Sequence, residues 1–181
     1  MVRAILILMA LLLVPPSIPA DAGKKHRKRQ DRVVVVRDST PDVWKPYVAE
    51  AVAMFNLMLP KRAPRMLYQA VPEARCTYPK KRRAIDVCVD IDNPFLAYST
   101  PGRLRAGTGI VALSTPTPDV SSDIVSPRQI LCHEFMHLTT GIPDDYSMPQ
   151  RETSCVHGIL AEPGPFDIAY AQKVYKKRRH R

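Results

Sequence analysis

His133, Glu134 and His137 form a His-Glu-x-x-His run in the second half of the chain. On a helix, residues i and i+4 lie one above the other. Two imidazoles at that spacing address one point, at the separation from which a tetrahedral zinc ion takes its ligands. Glu134 sits beside that point rather than at it. There a carboxylate can accept a proton from zinc-bound water and later hand it to a leaving amine. The chemistry these residues imply is metal-assisted amide hydrolysis, with His133 and His137 as metal ligands and Glu134 as general base.

Two protein ligands leave a zinc ion short of a third. Downstream the chain reads Leu138-Thr139-Thr140-Gly141-Ile142-Pro143-Asp144-Asp145-Tyr146. Gly141 allows a left-handed exit from the helix, after which Asp144 can fold back to the metal. Asp145 is the neighbouring alternative, and His157 a more distant one. Tyr146 is a candidate donor to the oxyanion formed during hydrolysis.

The helix itself has clear ends. Ser126-Pro127-Arg128-Gln129 is a capping box with proline at the first helical position, and Gly141 followed by Pro143 stops it. Upstream, Arg32 to Arg37 contains four valines and reads as a buried strand. Thr40-Pro41 reads as a helix start. Trp44, Tyr47, Val48, Ala51, Val52, Phe55, Met58 and Leu59 follow as one apolar stripe until Pro60. Met66 to Val71 and Ile85 to Ile91 read as strands, the second alternating Ile85, Val87, Val89 and Ile91 against Asp86, Cys88 and Asp90. A short strand is expected near 95–99 and another over 107–114. A last helix is expected from Ile168 to about Lys177, with Asp167 near its start. This order predicts an α+β domain.

The motif resembles the metzincin clan of zinc endopeptidases, whose pattern is His-Glu-x-x-His-x-x-Gly-x-x-His or Asp. Within it the chain is most similar to the snapalysin-type secreted bacterial proteases, which read Gly-Leu-Pro-Asp-x-Tyr where this chain has Gly141-Ile142-Pro143-Asp144-Asp145-Tyr146. The likeness is specific over residues 126–146 and architectural elsewhere. It implies a zincin-like single domain. The sheet would be small, twisted and mostly parallel with an antiparallel edge strand, packed on an active-site helix and a backing helix, with a C-terminal helix. It makes Asp144 the third ligand and strand 107–114 the edge on which a peptide substrate pairs. Three residues separate His137 from Gly141, where the clan has two. The clan's methionine turn corresponds to Ser154-Cys155-Val156-His157-Gly158, which carries no methionine.

The ends of the chain are expected to do other things. Arg3, the apolar run Ala4 to Val14, and Ala20-Asp21-Ala22 have the layout of a secretory signal peptide over residues 1–22. The apolar run is too short to span a bilayer. Residues 23–31 read as a basic leader, 32–177 as the zinc peptidase domain, and 178–181 as a basic tail. The net charge is +10, concentrated in Lys24 to Arg29 and Lys176 to Arg181. Such runs suit anionic cell-surface polymers; they lack the interleaved aromatics and motifs of a specific nucleic-acid binder. All four cysteines, Cys76, Cys88, Cys132 and Cys155, lie in the exported part, as expected for two disulfides. Of three possible pairings the short loop Cys76–Cys88 is favoured, which leaves Cys132–Cys155. The reading is a secreted, monomeric zinc endopeptidase. Its alternatives are an inactive zincin-fold binding protein at the cell surface and a zinc amidase acting on a cell-wall amide.

Overall fold

The structure is a computed structural model that describes residues 33–76, 83–92, 94–118, 125–144, 153–156 and 160–176. The leader, the far C-terminal tail, Asp145, Tyr146 and His157 lie outside the described residues. Among the described residues, five strands and three helices follow one another. They are β1 (Val33–Asp38), α1 (Lys45–Met58), β2 (Arg65–Ala70), β3 (Ala84–Val89), β4 (Ala97–Ser99), β5 (Thr108–Leu113), α2 (Pro127–Thr140) and α3 (Pro165–Tyr175). The fold is α+β, and the sheet order is β2-β1-β3-β5-β4. β1, β2, β3 and β5 run parallel, and β4 joins β5 antiparallel.

One expectation is overturned here. β5 is not an edge: it is paired with β3 on one side and β4 on the other. The edge on this side of the sheet is β4, a three-residue strand whose pairing partner lies a turn further along the chain; β2 is the edge on the other side. Gly109, the glycine that weakens β5 as a strand, serves a different purpose. A Cβ there would come within 2.7 Å of Leu138 Cδ1 and 2.9 Å of Thr100 Oγ1, so its absence lets α2 and the β4–β5 connection close onto the strand.

Period-two alternation places Val34, Val36, Ile85, Val87, Val111 and Leu113 on the helical side of the sheet. They pack with Trp44, Val48 and Phe55 of α1 and its lead-in and with Leu131, Phe135 and Leu138 of α2. Phe55 and Phe135, both fully buried, meet at 5.5 Å between ring centroids. Each such side chain contributes roughly 1.5–3 kcal/mol by leaving water. The other face of β3 is buried too, contrary to simple alternation. Asp86 is covered by a bidentate pair with Arg37 at 2.7 and 2.8 Å, and Cys88 by its disulfide to Cys76.

α1 begins at Lys45, later than the Thr40-Pro41 signal indicates. Thr40 is taken instead by Asp38, whose Oδ1 accepts from both its backbone N–H (3.0 Å) and its hydroxyl (2.6 Å). Residues 41–44 form a tight turn that leads into the helix, with Trp44 N–H bonded to the Pro41 carbonyl. The helix stops where Leu59 turns extended before Pro60. No helix among the described residues is long and apolar enough to cross a membrane. Both disulfides are formed, Cys76–Cys88 and Cys132–Cys155, and such bridges suit an oxidising environment.

Candidate metal centre

α2 has the ends its sequence encodes. The Ser126 hydroxyl accepts from Gln129 N–H at 3.2 Å, and Gly141 ends the helix in the left-handed region at φ 72°. The His137 carbonyl then receives two donors, Gly141 N–H and Gly102 N–H, each at 2.8 Å. Gly102 and Gly141 both have positive φ, and a Cβ on Gly141 would lie 3.3 Å from the Gly102 Cα. Two glycines thus allow the chain to leave α2 sharply while the residues before β5 cap its last carbonyls. The exit brings Ile142 back over the helix, where its carbonyl meets His137 Nδ1 at 2.6 Å.

That contact decides the chemistry of the ring. Nδ1 donates to a carbonyl, so in the neutral imidazole Nε2 carries the lone pair. His137 Nε2 lies 2.9 Å from His133 Nε2 and 3.0 Å from Asp144 Oδ1, and His133 Nε2 lies 3.2 Å from the same oxygen. Burial, then the charge of His137, draws the His133 pKa below its ordinary value; Asp144 and backbone hydrogen bonds with Val156 and Cys155 oppose this. The corner therefore gathers two imidazole lone pairs and a carboxylate oxygen, all acceptors, onto one point. Ligand atoms about 2.0–2.1 Å from a tetrahedral ion stand roughly 3.3 Å apart. The triangle in this structure is slightly tighter and of the right shape. His133, His137 and Asp144 can hold a metal ion, and the spacing of Asp144 from Gly141 achieves this despite the added residue after His137.

Glu134 is 5% exposed on the same helix. Burial pushes its carboxyl up to about 7; the Ser99 hydroxyl and the charge of His137 pull it down, and Asp144 adds to the rise. The Ser99 hydroxyl also donates to the Glu134 backbone carbonyl at 3.0 Å, tying β4 to α2. His133, Glu134, His137 and Asp144 line a cleft of about 900 Å³. One wall is the segment from Pro94 through β4, the other comes from Ile142 and Pro143, and Cys155 and Val156 also line it.

Sequence reasoning did not find Ser99, whose role depends on strand pairing, nor the part of Asp167 in holding the turn at 154–156. The signal for Asp167 was available: an acidic residue at the third position of a helix that starts Gly164-Pro165. Comparison with known proteins finds no matching family model and no significant relative among characterised sequences.

Proposed function

We propose that the protein is a secreted zinc-dependent endopeptidase with a zincin-like fold, related to the snapalysin-type metzincins. The observation that supports it most is the convergence of His133, His137 and Asp144 beside a buried Glu134 in an open cleft bordered by a sheet edge. When bound, zinc supplies Lewis acidity, polarising a carbonyl and making water acidic enough to attack near neutral pH.

The protein's own groups do the rest. His133 and His137 offer ring nitrogens, each oriented by hydrogen bonding with backbone: His137 by Ile142, and His133 by Val156 and Cys155. Glu134 is poised to take the proton of the attacking water and deliver it to the leaving amine. A cation beside it favours the carboxylate, which offsets the burial that favours the acid. The side of β4 left unpaired among the described residues, not β5, is where an extended peptide adds as a further strand, its scissile bond laid across the cleft. The cleft wall formed by Pro94, Phe95 and Leu96 gives the substrate an apolar surface.

Glu134→Gln tests this reading. It should keep zinc bound and lower cleavage of an unstructured protein such as casein by roughly 10²–10⁴-fold. Full cleavage by Glu134→Gln would remove Glu134 from the mechanism. Zinc binding by the wild type without any peptide hydrolysis would favour the binding-protein or amidase alternatives.

A further inference from the structure

The turn at 154–156 is held by a residue that the chemistry never touches. Asp167 sits in the first turn of α3 and is fully buried. One carboxylate oxygen accepts from the Ser154 hydroxyl at 2.7 Å. The other accepts from Cys155 N–H at 2.8 Å and Gly164 N–H at 2.9 Å. The Ser154 hydroxyl oxygen in turn accepts from Val156 N–H at 3.1 Å. A single carboxylate thereby pins the whole turn to the start of α3. The turn is joined to the metal corner in two ways. Cys155 is bridged to Cys132, the residue before His133. Cys155 and Val156 also line the cleft with His133, and their backbone hydrogen-bonds with its ring.

We propose that Asp167 is a positioning residue for the metal centre: by fixing the 154–156 turn it aims the His133 imidazole at the point shared with His137 and Asp144. The inference rests on the metal-binding reading of those three ligands and is independent of whether the protein cleaves peptides. Groups that orient a ligating histidine typically change metal affinity 10- to 100-fold when altered.

The experiment is a cobalt(II) titration of the full chain against a competing chelator, read by the visible absorption of the bound ion. Asp167→Asn puts an amide N–H₂ where an acceptor oxygen met a donor. It should weaken cobalt binding roughly 10- to 100-fold and shift the absorption bands, because the ligand geometry changes. Asp38→Asn is the matched control: it alters another fully buried carboxylate with three donors, one that does not line the cleft. It should lower thermal stability comparably and leave affinity and spectrum as in the wild type. If Asp167→Asn does not fold, Ser154→Ala removes one of the three bonds and should weaken binding in the same direction with a smaller band shift. Wild-type affinity and spectrum in the folded variant would overturn the proposal, as would equal weakening by Asp38→Asn. A wild type that binds no cobalt would overturn the metal reading itself, and this inference with it.

Discussion

Asp38 and the corner of His133, His137 and Asp144 are both clusters of polar groups drawn together by the fold, and they are wired oppositely. Around Asp38 every neighbour donates: Thr40 through its N–H and its hydroxyl, and Tyr68 through its phenol at 3.0 Å. The carboxylate is satisfied, and burial then costs little. At the metal corner every group accepts. The one ring proton assigned on His137 is already given to the Ile142 carbonyl. Three acceptors gathered about 3 Å apart could together hold a cation. Composition alone does not separate the two clusters, since both are built from acidic and polar residues. The direction of the hydrogen bonds separates a self-satisfied cluster from one that could take up a metal ion.

That difference makes distinct demands on variants. Removing the satisfied carboxylate by Asp38→Ala takes the acceptor from two buried Thr40 donors and from the half-buried Tyr68 hydroxyl, and should cost roughly 3 kcal/mol, with or without metal. Asp144→Ala should change metal-free stability by less than about 0.5 kcal/mol, because it removes an acceptor that the metal-free fold does not need. Chemical denaturation of chelator-treated protein measures both. Equal losses would erase the distinction between the clusters.

Glu134 sharpens it further. In metal-free protein its carboxyl is raised from 4.5 to about 7 by burial. A raised carboxyl makes the folded state bind more protons than the unfolded one. The contribution of Glu134 to stability is therefore full below about pH 4.5 and declines as pH rises toward 7, by up to about 3 kcal/mol. Glu134→Gln removes that decline. Its metal-free melting temperature should pull ahead of the wild type between these pH values and keep its lead above them. Parallel curves would mean that Glu134 is not held in an environment hostile to its charge. A smaller effect is expected at the helix exit. Gly141→Ala places a side chain at φ 72°, against Gly102, and should cost about 1–2 kcal/mol while displacing the segment that carries Asp144.

Much of the metal corner is legible in the sequence because its determinants are local. The spacing of His133 and His137, the Ser126 cap and the Gly141 exit all act within one helix and its two ends. The disulfides follow from the shortness of one loop. What escapes is set by contacts far apart in the chain. The short strand expected near 95–99 is β4, but only its pairing with β5 puts it at the edge in place of 107–114. Thr40 has the look of a helix cap but finds a stronger partner two residues back in Asp38. Asp167 reads as an ordinary first-turn acid until the fold brings Ser154 and Cys155 to it.

The central claim is that His133, His137 and Asp144 are acceptors arranged for one cation. Equilibrium dialysis of chelator-treated wild type and His137→Ala against zinc measures it directly. The wild type should bind one zinc ion per chain, and His137→Ala should bind it at least about 100-fold more weakly. Wild-type protein that takes up no zinc, or a variant that binds it as tightly, would contradict the account.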